Sequence, residues 1–211
     1  MREIAGIRIP DNKLSVAALD IVQMESHASI YKHVLRTYVF GALAARAQGV
    51  KFDEELFFLG AILHDLGLTE RFGAAAGRFE VVGADAAQKF LSGEGVAAER
   101  SAIVWEAIAL HTSNGIALRR APEVALVHIG ASIDVMGLGL EDLPPTVVEL
   151  TIEALPRDNF KKVFLDALLS RIRKDPSAVA LTWMSEAARR HVHGFECPDF
   201  VDLISGANFV E

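Results

Sequence analysis

The chain has 211 residues, 51% of them hydrophobic and 23% charged, and a formal net charge of −7 at pH 7. That length and composition suit a globular protein that buries a real core. The acidic balance opposes sequence-independent binding to nucleic acid and docking on anionic lipid, but leaves a small substrate held by a local cation open.

The N-terminal stretch "MREIAGIRIPDNKLS" lacks the basic-then-apolar layout of a signal peptide. No segment reaches the roughly 18 uncharged apolar residues of a membrane helix. One cysteine, Cys197, offers no intrachain disulfide and suits a reducing compartment. The expectation is a soluble cytoplasmic protein that engages neither membrane nor nucleic acid.

Strand signals are few, "GIRIP" being the clearest alternating piece. Helical spacing predicts helices over 14–24 and 27–48, the second stopped at Gly49. In "FDEELFFLGAILHDLG", Asp53 is the expected N-cap and Gly67 lies just past the end. Helices over 80–92, 98–112 and 122–137 follow, with Pro122 in a first turn, where proline is tolerated. "GLGLEDLPP" (137–145) is a turn-rich break, after which helices are expected at 146–154, 158–174 and 177–191 before an irregular tail. The expected fold is all-α, a single domain over 1–211 with its core bundle at 27–137 and a C-terminal helical extension at 146–191. Those later helices could pack on the bundle or bury a homodimer contact. No internal repeat or flexible linker interrupts the chain.

There is no Gly-x-Ser-x-Gly elbow and no phosphate-binding loop. "GEGVAA" (93–98) fits a dinucleotide pattern only formally, because helical sequence rather than a strand precedes it. The positive signal is a set of polar residues on apolar helices: His33, the His64–Asp65 pair, and Asp134. A carboxylate turned toward a core needs neutralisation. Two neutral imidazoles and two carboxylates carry a formal charge of −2, which one divalent cation balances. Neighbouring helical residues point about 100° apart. His64 and Asp65 could therefore straddle an ion, with His33 and Asp134 supplying the rest from other helices. Such a nitrogen–oxygen set suits one Zn, Fe, Mn, Ni or Co ion better than Mg. The plainer readings are satisfied helix histidines and an Asp134 that partners an arginine.

The order His33, His64–Asp65, Asp134, at separations of 31 and 69 positions, resembles the HD-domain superfamily of metal-dependent hydrolases. The resemblance covers roughly 27–137 and implies an all-α fold with a mononuclear or dinuclear divalent metal site. Five blocks, "HVLRTYVFGALAA", "AILHDLGLTE", "RFEVVGADAAQKFL", "EAIALHTS" and "IGASIDVMG", look like its cyanamide hydratase-like branch, which adds water to a small nitrile-type substrate. Phosphate-handling branches place Lys or Glu where this chain has Leu68.

Further pocket candidates are His111, as extra ligand or proton donor; Arg36, holding Asp65 or Asp134 or orienting substrate; and Thr69, Glu80 and Thr112 as substrate contacts. Each has a bland alternative: His111 and Glu80 could simply answer helix dipoles, Arg36 could lie on the surface, and the threonines could serve turns and caps. His27 and His128 are not expected to be ligands, and "HVHGFEC" with His191, His193 and Cys197 is a weak metal pattern. The reaction expected is attack by metal-activated water on a small molecule, with Asp65 as ligand and proton acceptor and His111 or Asp134 handling the second proton. The alternatives are an HD phosphohydrolase of a nucleotide or other phosphate ester, and a non-catalytic ligand-sensing module.

Overall fold

The computed structural model describes residues 3–197 and 199–209. Met1 and Arg2, which begin the stretch read for a leader, lie outside the described residues. A two-stranded antiparallel hairpin, β1 (Glu3–Ile4) and β2 (Ile7–Arg8), opens the chain. Helices α1 (Lys13–Glu25), α2 (Ala28–Gln48) and α3 (Glu54–Leu63) follow, then α4 (Phe79–Gly93), α5 (Ala98–Leu110) and α6 (Pro122–Met136). Helices α7 (Pro145–Ala154), α8 (Phe160–Lys174), α9 (Met184–His191) and the short α10 (Phe200–Ser205) end it. The all-α expectation holds, and no helix among the described residues is long and apolar enough to cross a membrane.

Local chemistry sets the helix ends. Asp53 accepts from the Leu56 amide as N-cap of α3, and Glu54 and Glu55 complement the dipole in its first turn. Gly49 takes the left-handed conformation that stops α2, at φ 65°. Every residue of α3 from Leu56 to Leu63 is buried, so this helix is apolar all round and central. It ends at Leu63, short of Gly67, because Leu68 N bonds Asp65 O and Thr69 N bonds Leu66 O, tightening the chain into a 3-10 turn at Leu66–Leu68. His64 and Asp65 therefore sit at the junction rather than inside the helix. The segment 177–191 also differs from expectation: Pro176–Val179 is a 3-10 turn, Leu181 has φ 59°, and α9 begins only at Met184.

Two close approaches bring the polar residues together. At Gly130 of α6 a Cβ would collide with the Thr37 carbonyl of α2, so glycine lets those helices cross tightly. At Gly67 a Cβ would collide with the Phe79 carbonyl, so α4 lies directly on the turn after Asp65. The main apolar cluster runs through α1 to α6 and reaches Leu155. A second cluster joins Phe79 to Leu168, Leu169 and Ile172 of α8 and to Val179, Met184 and Ala188.

Candidate metal centre

His33 projects from α2, His64 caps the C-terminus of α3, and Asp65 follows it into the 3-10 turn. His33 is 0% exposed, His64 1% and Asp65 2%. One ligand atom from each lies within 4.8 Å of the others. The Nε2 atoms of His33 and His64 are 3.2 Å apart, and Asp65 Oδ2 is 3.4 Å from the first and 3.5 Å from the second. His111, at the C-terminus of α5, brings its Nε2 to 3.9 Å from Asp65 Oδ1.

The hydrogen bonds on the far side of each ring fix what faces inward. His64 Nδ1 donates to Ala61 O at 2.8 Å, His111 Nδ1 to Ile108 O at 2.7 Å, and His33 Nδ1 to Asp134 Oδ2 at 2.6 Å. With the proton on Nδ1 in all three, each Nε2 presents a lone pair. Both oxygens of Asp65 are buried without a hydrogen-bond partner. Three lone pairs and an unpartnered carboxylate thus converge on one small volume, and a buried unpaired charge costs several kcal/mol. A cation is the group that satisfies all of them, and a set of imidazole and carboxylate donors fits a first-row divalent ion. Titration behaviour agrees: burial, reinforced by the His33 ring, drives His64 down to about 3. Burial and His64 drive His111 down to about 4. Burial pushes the Asp65 carboxyl up, against the opposing pull of His33 and His111.

Asp134, expected in the ligand set, stands behind His33 rather than beside His64 and Asp65. Its Oδ2 accepts from His33 Nδ1 and from Arg36 Nη2 at 2.9 Å; its Oδ1 accepts from Arg36 Nε at 2.8 Å and Arg157 Nη1 at 2.7 Å. Both oxygens are therefore occupied twice, and the carboxylate holds and orients a histidine as partners behind metal ligands do. Burial would raise its pKa, yet the hydrogen bonds from His33 and Arg36 outweigh that and hold it well below the usual carboxylate range. Arg36, expected to hold Asp65 or Asp134 or to orient substrate, is fully buried and lies on Asp134; it grips that carboxylate and donates through Nη1 to Leu155 O and Pro156 O.

Glu80, in the first turn of α4, is fully buried; its Oε1 accepts from Arg78 at 2.8 Å and from Thr112 Oγ1 at 2.6 Å, while Oε2 has no partner. Burial raises Glu80, but Arg78 and Thr112 outweigh it and keep the carboxylate ionised. Thr69 spends its hydroxyl on the turn, donating to Leu66 O at 2.7 Å. His128 donates to the His111 carbonyl at 2.7 Å, outside the cluster, and His27 accepts from Ser29 N as the N-cap of α2. Among the described residues, His191, His193 and Cys197 join no group of metal-capable side chains.

Sequence reasoning missed the residues that cover His33. Phe160 stacks on its ring at 4.6 Å and 27°, and Phe164 leans on it at 5.7 Å. A helix was expected from 158, but it begins at Phe160 after the left-handed Asp158 and Asn159, and nothing in "PRDNF" (156–160) signals a partner on α2 or α6.

A helical bundle that buries converging histidines and a carboxylate on three of its segments defines an all-α protein built around a candidate divalent-metal site. The HD domain family model matches residues 30–148, over half of the chain. The chain belongs to the HD-domain family, a family of metal-dependent hydrolases. Comparison with the curated proteins finds no match.

Proposed function

We propose that the protein is a metal-dependent hydratase or hydrolase of a small uncharged molecule, cyanamide hydratase-like in its chemistry. In this reading His33, His64 and Asp65 hold the ion, with Asp134 as support behind His33. A divalent ion bound there supplies Lewis acidity, acidifying water and polarising the electrophile. Asp65 has a second oxygen available to accept a proton from that water. His111 is anchored through Nδ1, so Nε2 is its one exchangeable position; its lone pair faces Asp65 and could take up the proton released from that water and pass it to a substrate nitrogen, returning to its neutral form. Adding one water across a C≡N bond places its oxygen on carbon and its two protons on nitrogen.

The observation that carries the preference is the state of the arginines. Arg36 and Arg157 are both committed to Asp134, and Arg78 to Glu80. Arg71 pairs with Glu25 and its side chain is 65% exposed. A phosphate ester calls for cations free to clamp its oxygens, and each of these is already matched by a carboxylate. Leu68, partly buried against the second apolar cluster, adds no charge where phosphate-handling relatives carry one.

The test is metal analysis of the purified protein, followed by assays of cyanamide and small nitriles beside a panel of phosphomonoesters and nucleotides. Hydration of the nitrile class with inert phosphate esters supports the reading. Metal-dependent release of phosphate with no hydration would replace it with the phosphohydrolase reading.

A further inference from the structure

The family match ends at residue 148, yet three side chains packed around His33 and Asp134 come from beyond it. Arg157 donates to Asp134 Oδ1, Phe160 stacks on the His33 ring, and Phe164 tilts against it. The Arg157 guanidinium also lies 4.9 Å from the centre of the Phe160 ring, and that of Arg36 lies 5.4 Å from it. The segment is pinned from both ends, by Arg36 bonds to Leu155 O and Pro156 O and by an ion pair between Lys32 and Asp158.

Two features set Arg157 apart from a routine ion-pair partner. Arg36 alone already gives Asp134 a two-pronged guanidinium, so neutralising that carboxylate does not require a second arginine. The Arg157 side chain is 31% exposed and water could satisfy it, yet it reaches inward to a carboxylate with no exposed surface. The chain also adopts two consecutive left-handed residues, Asp158 at φ 46° and Asn159 at φ 59°, between Arg157 and Phe160. Asp and Asn tolerate that conformation better than other non-glycine residues, but a pair of them is disfavoured and persists only where surrounding contacts hold it.

We propose that Arg157 is a positioning residue of the metal centre. Acting through Asp134, it holds the His33 ring with Nε2 toward His64 and Asp65, and so makes the segment after the family match part of the site. The contact closes the fourth hydrogen bond on Asp134 and stops the carboxylate from pivoting on the Arg36 fork. Phe160 bears on the face of the same ring and blocks its rotation. This rests on the metal-site reading above.

The test uses the full chain, with Co(II) as probe, its visible absorption band reporting ligand geometry and its titration reporting affinity. Arg157→Ala is expected to weaken Co(II) binding about tenfold, the scale found when a partner behind a metal ligand is lost, and to shift the band, with helical content unchanged. Arg157→Lys, which keeps a donor, is expected to recover most of the affinity. Arg171→Ala serves as control: Arg171 ties α8 to Ala75 O and Gly77 O without touching Asp134, so its loss is expected to cost clearly less Co(II) affinity than Arg157→Ala and to leave the position of the band unchanged. Unchanged or tighter Co(II) binding in Arg157→Ala overturns the proposal, as does an equal loss in Arg171→Ala, which would trace the effect to the general attachment of α8. A wild-type protein that binds no Co(II) overturns the metal-site reading together with this one.

Discussion

His33 Nδ1 donates to Asp134 Oδ2 at 2.6 Å across 101 positions of sequence, and that bond turns the Nε2 of His33 toward His64. Asp134 therefore has two duties, orienting His33 and neutralising the fully buried Arg36. Asp134→Ala leaves that guanidinium without its counter-charge, which is expected to cost about 3–5 kcal/mol by denaturant unfolding. The metal affinity of the folded fraction should fall about 10–100-fold without vanishing. Metal content as low as that of His64→Ala would instead make Asp134 a direct ligand.

Asp65 is expected to trade stability for metal binding. Its two oxygens are buried without partners, so Asp65→Asn should abolish metal binding and activity while making the metal-free protein more stable. A gain of about 1 kcal/mol corresponds to roughly 2–4 °C in Tm for a chain of this size. Wild-type metal occupancy in Asp65→Asn, or a lower Tm without metal, would count against the assignment.

Acidification should weaken the metal-free protein. His64 at about 3 and His111 at about 4 stay neutral in the folded state, whereas in the unfolded chain they protonate near 6.5. As pH falls from 7 toward 4 the unfolded state takes up more protons, so stability falls with it. Asp65, raised by burial, acts with the opposite sign: its proton is retained longer in the fold, and its penalty grows as pH rises above the ordinary carboxylate range. An ion that needs neutral imidazoles and an ionised Asp65 should therefore bind more tightly, and protect the fold more, as pH rises from 4 to 7. Urea midpoints at several pH values, with and without metal, measure both trends. A metal-free midpoint that stays flat below pH 6.5 would contradict neutral His64 and His111.

Gly130→Ala should force α2 and α6 apart, because the added Cβ meets backbone rather than a flexible side chain. The expected loss is about 1–3 kcal/mol. Metal affinity should fall with it, since the two helices carry His33 and Asp134. Gly93→Ala, at the end of α4 with open space around it, is the control and should leave both properties near wild type.

Most of the helices were legible because their apolar period and their punctuation agree. Asp53, Gly49 and Pro122 do in the structure what their chemistry predicts. The weaker readings fell where that agreement fails: the end of α3, where a 3-10 turn takes over, the broken stretch before α9, and α10, whose Asp199–Asp202 capping box lies in a tail expected to be irregular. In the site, His33, His64 and Asp65 were readable as polar residues on buried helix faces, and the structure brings them together. That Asp134 pairs with Arg36 was among the readings; that it stands behind His33, outside the cluster, was not, because spacing along two helices does not say which side of the ring a carboxylate meets. Arg157 and Phe160 flank the start of a helix expected from 158, and nothing in their sequence says which distant residues they meet.

Phe79 belongs to the second apolar cluster, yet its ring lies 5.6 Å from that of His111 and its carbonyl abuts Gly67. Phe164 likewise joins that cluster to the ring of His33. The histidines thus lie along the border between two separately packed interiors. A substitution such as Leu168→Ala or Ile172→Ala, in a helix that supplies no ligand, would shift one interior against the other and register first as poor loading of the site. In a mutational survey scored by activity, such positions would pass for chemistry when their fault lies in alignment.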